Sequence, residues 1–363
     1  MSIDIGIIGL AASGRSTIFN ILTGIKTDST GQAPHIGVAK VPDSRLQALA
    51  DILRPKRVVL TEVQFTDIGA SAGGLGSSRG IGGQLLAELS NVDALIAVAR
   101  AFSDESVPHV EGSVDTERDI AAIGLELCIS DLAILERRLD RIKESLKGAK
   151  PPEHQHLLRE QEILLGIKSN LEKDVPIRQL TLSPDEARVI AGYQFLTAKP
   201  ILIAVNIGEE QLSRAASLEA YLGSQYAGAK CGVVTICGKL EMELAQLDEA
   251  AAEEFRAEYN LAESGRDRLI QRSYQLLGLI SFFTVVSDEV KVWPIPEGTD
   301  ALRAAGKIHS DMERGFIRAE VIGYDDLVGC GSLAEARKRG LLRLEGKNYR
   351  VREGDVITFL FNV

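Results

Sequence analysis

The sequence predicts an α/β protein built on a mainly parallel sheet, with a helical hairpin inserted into it and a small β-rich domain at its carboxyl end. Three observations lead there. Short apolar runs, "IDIGII", "VVLTEVQFTDI", "DALIAVARAF", "PILIAVNI" and "CGVVTI", alternate with helical stretches over most of the chain. Between about Asp119 and Ala198 that alternation gives way to leucines and isoleucines at three- and four-residue spacing among charges. After about Ser281 short strands separated by glycine turns take over. Strands joined through helices need crossover connections, and hence a parallel sheet covered on both faces.

The chain has 363 residues, which suits two or three domains with cores of their own. A formal charge of -10 excludes a protein that coats DNA or RNA through overall charge, while leaving room for a local basic face. The four cysteines, Cys128, Cys231, Cys237 and Cys330, form no C-x-x-C pair and have no histidine nearby, so a zinc site or disulfide framework is not expected. The opening "MSIDIGIIGL" lacks the basic segment and cleavage site of a signal peptide, and no apolar run reaches the roughly 18 residues of a membrane span. The expectation is a cytoplasmic protein with no membrane partner.

The β-branched run Ile3 to Ile8 reads as a strand, and "STIFNIL" as a helix with Ile18, Phe19 and Leu22 on one face. Between them lies "GLAASGRST", Gly9 to Thr17, with the spacing G-x-x-x-x-G-K-[ST] but Arg15 where the lysine belongs. In such a loop backbone N–H groups, here those of Ala12, Ser13 and Gly14, wrap phosphates at a helix N-terminus. The lysine reaches the β- and γ-phosphates, and the next hydroxyl ligates magnesium. Gly9 and Gly14 keep the backbone freedom, and Ser16 and Thr17 keep the hydroxyls. Arg15 stays positive and can grip phosphate, but its planar fork is larger than an ammonium. The alternative is a plain glycine turn.

Two further signals bear on the choice. "FTDIGA" ends an apolar strand with Asp67, where an acid can hold magnesium through water. "AVNIGEE" ends a later strand with Asn206 and Glu209, where nucleotide-binding domains of this kind read the base. Each is commonplace alone. In this order, each at the carboxyl end of a predicted strand, the three point to one nucleotide site.

The stretches "IGLELCISDLAILERRLDRIKESL" and "EHQHLLREQEILLGIKSNLEK" flank the breaker-rich "KGAKPPE" and read as two antiparallel helices. "VVSDEVKVWPIPEG", "GFIRAEVI" and "GKNYRVREGDVITFLFNV" are the strands of the last domain. There Lys307, Arg314, Arg318, Arg337, Lys338 and Arg339 form either a basic face for RNA phosphates or a solvated charged surface, because Asp311, Glu313 and Glu320 are interleaved. The glycine-dense "GASAGGLGSSRGIGGQ" after Asp67 reads as a mobile switch loop or as a simple surface loop.

With these residues the sequence resembles the YchF/Obg-like ATPase family of translation-factor-related P-loop NTPases. The resemblance covers essentially the whole chain. It is most specific in "AAGKIHSDMERGFIRAEVIGYDDL" and "LLRLEGKNYRVREGDVITFLFNV", similar to the family's TGS domain, and extends to "VPDSRLQALADILRPKR", "HVEGSVDTERDI" and "FLTAKPILIAVN". It implies a P-loop nucleotide-binding domain in residues 1–118 and 199–280, a helical arm in 119–198 and a β-grasp-like TGS domain in 281–363. It also implies binding of ATP in preference to GTP with Mg2+, and association with ribosomes or RNA through the arm and the TGS domain.

The base preference has a physical reading. An aspartate at the last place of Asn-x-x-Asp accepts two hydrogen bonds from guanine, and the longer Glu209 is poorly placed to repeat them. The family resemblance adds the main chain around Ile207 as a base contact. It also implies that His109, in a "HV-x-G-x-V-D" block, places the attacking water; read without the family, His109 is a satisfied surface or capping group. The departures concern the third phosphate. The family's "GLPNVGKST" is "GLAASGRST", and its magnesium-binding switch threonine falls in "TDSTGQAPHIG", with Gly31 near that place and Thr30 as the nearest substitute. Its "DIAG" is "DIGA", which moves the glycine from Ala70 to Gly69. Slow or impaired hydrolysis follows. Two functions remain open: a slowly hydrolysing ATP-binding protein of translation, and a non-catalytic ribosome- or RNA-binding adaptor with a degenerate nucleotide site.

Overall fold

The structure is a computed structural model and describes residues 3–25, 35–68, 81, 83–226, 228, 230–259, 261, 263–286 and 288–362. In chain order its elements are β1 (Ile3–Gly9), α1 (Arg15–Thr23), β2 (His35–Lys40), α2 (Arg45–Leu53), β3 (Arg57–Val59), β4 (Glu62–Asp67), α3 (Gly83–Asn91), β5 (Ala94–Arg100), α4 (Thr116–Leu146), α5 (Pro151–Leu171), α6 (Pro184–Ala191) and β6 (Ile201–Asn206). There follow α7 (Ala215–Tyr226), β7 (Cys231–Ile236), α8 (Gly238–Leu244), α9 (Glu249–Glu258), α10 (Gly265–Leu276), β8 (Leu279–Val286), β9 (Glu289–Pro296), α11 (Ala301–Ile308), α12 (Ser310–Arg314), β10 (Phe316–Gly323), α13 (Tyr324–Cys330), α14 (Leu333–Lys338), β11 (Arg343–Glu345) and β12 (Asp355–Phe361). They group into two compact units, Met1–Ala39 with Gln64–Leu276, and Lys40–Val63 with Leu277–Val363.

The first unit carries a six-stranded sheet in the order β2-β4-β1-β5-β6-β7, in which β1, β5, β6 and β7 run parallel. Every residue of β5 and β6 is buried. A strand buried on both faces has no polar alternation, and this is why "ALIAVAR" and "ILIAVN" read as continuous apolar runs. The parallel order brings the carboxyl ends of β1, β5, β6 and β7 to one edge, where the loops that follow them meet.

The inserted hairpin is α4 and α5. Asp115 caps α4 by accepting the Arg118 N–H at 3.0 Å, with Glu117 and Asp119 in the first turn where the helix dipole favours acids. The expected breaker turn is shorter than "KGAKPPE", because Pro151 and Pro152 open α5 instead of preceding it. Proline at the first helical positions forfeits no hydrogen bond. Leu135, Ile142, Leu157, Leu164, Ile167 and Leu171 form the hairpin's own core together with Phe195. Arg138 forks onto Glu160 with both contacts at 2.7 Å, and the Tyr193 hydroxyl donates to the same carboxylate.

The second unit is a sheet in the order β11-β10-β12-β8-β9-β3, with β8–β9 and β10–β12 antiparallel and β12–β8 parallel. Period-two alternation sorts its side chains. Phe282, Val321 and Ile357 face α11 with Ala301, Ala304 and Ala305. Their neighbours Phe283, Ile322 and Val356 face α2, α13 and α14 with Leu46, Leu49, Leu327 and Ala336.

Two elements differ from the sequence reading. "VVLTEVQFTDI" is not one strand: β3 joins the second unit's sheet and β4 the first unit's, with a break at Leu60 and Thr61. The switch segment read in "TDSTGQAPHIG" ends inside β2, which starts at His35 and is an edge strand whose Ile36 and Val38 are exposed. Residues 40–63 therefore contribute α2 and β3 to the second unit. The cysteines are free, and burial pushes the thiols of Cys128, Cys231 and Cys237 up, Cys128 to about 11. Among the described residues no helix is long and apolar enough to cross a membrane. The glycine-dense 69–80, with Gly69 and Ala70, and the segment holding Thr30 and Gly31 lie outside the described residues.

The Arg138–Glu160 fork holds the Glu160 carboxyl below its ordinary range. A depressed carboxylate contributes stability above its unfolded pKa and loses it as pH falls through the folded value. Glu160→Gln is expected to destabilise the chain by about 2 kcal/mol at neutral pH, discounted for the part-exposed Arg138. The gap from the parent should shrink as the pH falls below about 4, measured by denaturant titration at several pH values.

Candidate functional site

The loop between β1 and α1 holds a conformation that its sequence alone supports poorly. Ala12 sits at φ +63° and Gly14 at φ +89°. Gly14 is required twice over, since a Cβ there would also lie 2.1 Å from the Asn206 Nδ2. The Ser13 carbonyl accepts from that amide at 3.1 Å, and the Asn206 Oδ1 accepts the Gly238 N–H at 3.0 Å. The Asn206 backbone carbonyl in turn accepts from Ala101 and Phe102 at 2.8 and 3.1 Å. One buried residue at the end of β6 thus ties together the loops after β1, β5 and β7.

Arg100, which the sequence reading passed over, does the same from β5. It is fully buried, and its guanidinium donates to the carbonyls of Phe102 (3.1 Å), Val107 (2.8 Å), Asp104 (3.3 Å) and Ala12 (3.4 Å) while lying 4.3 Å from the Phe102 ring centroid. Carbonyl dipoles and the ring face answer its charge and shape the segment after β5. The signal was present: an arginine closing a wholly apolar strand.

These loops enclose a cavity of about 1000 Å³ lined by Ala12, Gly14, Thr17, Phe102, Asn206, Ile207, Glu209 and Lys239, with Asp104, Glu105 and Glu210 also on its wall. The phosphate-loop end and the Asn206–Glu209 end of the predicted site therefore share one space. Gly9 closes β1 beneath the loop, where a Cβ would lie 2.8 Å from the Val98 carbonyl oxygen, and Ser13 is buried. The Ile207 N–H is already donated to the Ile236 carbonyl at 2.9 Å. Glu209 is held by Lys239 at 2.8 Å, a pairing that raises the Lys239 pKa. Neither Phe102 nor Lys239 was singled out from sequence, although each follows an apolar strand by one to three residues.

Arg15, Ser16 and Asp67 form a second cluster at the start of α1. The Arg15 Nε donates to the Asp67 Oδ1 at 2.5 Å, and the Ser16 hydroxyl to the Oδ2 at 3.0 Å; the Asp67 side chain is 3% exposed. Serine and carboxylate oxygens are hard donors of the kind magnesium takes, yet the carboxylate is already paired with a cation. Among the described residues no group of three or more His, Cys, Asp or Glu side chains could hold a metal ion.

His109 lies in a third cluster. Its Nε2 is 2.7 Å from the Asp119 Oδ2, and its Nδ1 accepts the Glu111 N–H at 3.1 Å. That network assigns the proton to Nε2, donated to Asp119. Arg118 forks onto the other Asp119 oxygen at 2.9 and 3.1 Å. Both imidazole nitrogens are thus engaged at the N-terminus of α4, and His109 does not line the cavity that holds the loop and Asn206.

Removing the tie tests the first cluster. Asn206→Ala leaves the Ser13 carbonyl and Gly238 N–H without their partner in a buried place, and is expected to lower stability by about 2–4 kcal/mol. Amide exchange should quicken at Gly238, Ala101 and Phe102 while unit two, Leu277 onward, keeps its protection.

Known proteins resemble this chain from end to end. The family model YchF-GTPase_C, described as "Protein of unknown function (DUF933)", matches residues 279–362. The chain is 38% identical to the ribosome-binding ATPase YchF of Bacillus subtilis (strain 168) and 36% identical to that of Escherichia coli O157:H7, in each case over 100% of both chains. Its fold is similar to the solved structure of the Schizosaccharomyces pombe YchF GTPase, with a TM-score of 0.86 and 30% identity over 99% of this chain and 98% of that one. The phosphate-type loop, the parallel sheet behind it, the helical insertion and the end-to-end identity together show that the chain belongs to the YchF family.

Proposed function

We propose that this protein binds ATP in preference to GTP, hydrolyses it slowly, and acts in association with the ribosome. The single observation that carries the nucleotide reading is the shared cavity, which joins the loop residues Ala12, Gly14 and Thr17 to Asn206 and Glu209. Backbone N–H groups at the α1 N-terminus would receive the phosphates, Arg15 would supply positive charge to them, and the base would lie toward Phe102 and Asn206. Glu209 favours adenine because its carboxylate is committed to Lys239. Pairing with the two guanine donors would compete with Lys239 for the Glu209 Oε1, whereas adenine makes no such demand.

Slow hydrolysis is supported by His109. To orient water it must leave Asp119 and the Glu111 N–H, so a conformational step precedes chemistry. Magnesium, expected on Ser16 and Asp67, would neutralise phosphate charge when bound, but it meets Asp67 already paired with Arg15. In this reading residues 1–118 and 199–280, less the segment 40–63 that packs in the second unit, serve as the nucleotide-binding domain, 119–198 as the arm and 281–363 as a TGS domain.

Ribosome association rests on the relatives' names. The candidate basic face lends it little, since Arg314, Arg337, Lys338 and Arg339 each lie within 4.0 Å of Asp311, Glu320 or Glu335. A non-catalytic adaptor is the second reading, favoured by the pairing of Arg15 with Asp67 and of His109 with Asp119.

Calorimetric titration with ATP, GTP and ADP tests the proposal. ATP is expected to bind about tenfold or more tightly than GTP, a difference of roughly 1.4 kcal/mol. Equal affinity, or GTP preference, overturns the base assignment. Sedimentation with ribosomes separates the two readings: an Arg15→Ala/Ser16→Ala double variant should lose nucleotide-dependent association if nucleotide controls binding, and should co-sediment unchanged if the protein is an adaptor.

A further inference from the structure

We propose that Arg15 is a resident cation that takes over the charge-neutralising place of magnesium at Asp67, so that this site takes nucleotide without a metal ion. The inference rests on the nucleotide-binding reading above and concerns how that same site meets phosphate.

In a G-x-x-x-x-G-K-[ST] loop two tasks are divided. The lysine meets the phosphates as a point charge, and a metal held near the hydroxyl and the strand-end acid carries charge between that acid and the phosphates. Here one guanidinium has the geometry for both. Its Nε–H donates to the Asp67 Oδ1 at 2.5 Å, while the Ser16 hydroxyl takes the other oxygen at 3.0 Å. Both oxygens of a nearly inaccessible carboxylate are therefore in use by donors of the chain itself. Among the described residues neither Nη group of Arg15 makes a hydrogen bond, so the fork edge remains for phosphate oxygens. An ammonium carries three donors on one nitrogen, so it lacks the separate planar edge that a guanidinium can turn to phosphate while its Nε stays on the carboxylate.

Charge balance points in the same direction. Asp67 supplies one negative charge, which the guanidinium meets, and among the described residues no further cluster of acids or histidines stands ready for a metal. A divalent ion entering beside Arg15 would meet a like charge in a part-buried place. Magnesium also demands a near-octahedral oxygen shell and surrenders its waters reluctantly.

The test is a titration of the full chain with ADP, which avoids turnover, in magnesium and in EDTA. It is repeated on Arg15→Lys after thermal melts show that variant to be folded. The parent is expected to bind ADP with less than about a fivefold difference between the two conditions, and Arg15→Lys to gain a magnesium-linked tightening of about tenfold or more. A parent whose binding tightens fivefold or more with magnesium overturns the inference while leaving the nucleotide reading intact. So does an Arg15→Lys variant as indifferent to magnesium as a metal-indifferent parent, because Arg15 is then not the cause. A parent that binds no nucleotide in either condition overturns the nucleotide reading and this inference with it.

Discussion

The site depends on a single buried amide. Asn206 ends a strand on which no residue reaches solvent, and its side chain and carbonyl together hold the loops after β1, β5 and β7. A parallel sheet delivers strand ends to one edge but does not fix the loops that leave them. The loop after β1 is held with φ positive at Ala12 and Gly14, conformations that an alanine resists and a glycine tolerates. The Asn206 bond to the Ser13 carbonyl lies between those two residues and holds the strained pair in place. It also explains why Gly14 must be glycine, since the amide nitrogen fills the space a Cβ would take.

Around this framework the charges are arranged so that each functional group already has an internal partner. Asp67 has Arg15 and Ser16, Glu209 has Lys239, and His109 has Asp119. Of these pairs, Glu209–Lys239 lines the cavity, while Arg15–Asp67 and His109–Asp119 lie outside its lining and would have to open before their groups could serve a ligand. In the function proposed above, the Lys239 pair would disfavour guanine, the Asp119 pair would set a step before water can be ordered, and the Arg15 pair would decide what neutralises phosphate. The arginine that stands in the lysine's place is thus tied in space to an acid 52 positions later in the chain.

Much of the first unit was legible because its signals are local. A β-branched run, a glycine turn and a 3.6-period helix specify β1–loop–α1, and unbroken apolar runs mark β5, β6 and β7. The split of "VVLTEVQFTDI" was not legible. Val58, Val59, Val63 and Phe65 are alike in strand preference, and only long-range pairing sends the first two to one sheet and the last two to another. β2 was hidden because an edge strand with a glycine and two exposed aliphatics lacks a clean alternation. Of the candidate site, the membership of Gly14, Asn206 and Glu209 in one place was readable from their positions at strand ends. What each side chain does there was not, because Asn206 bonds to a residue 193 positions away and Glu209 to a lysine in another helix.

The most direct test of this account is a crystal structure of the protein grown with ADP and magnesium. The account predicts the Arg15 guanidinium still on Asp67, with its outer nitrogens on phosphate oxygens and no ion between Ser16 and Asp67. An octahedral ion there with oxygen ligands at about 2.1 Å, and Arg15 swung away from Asp67, would contradict it.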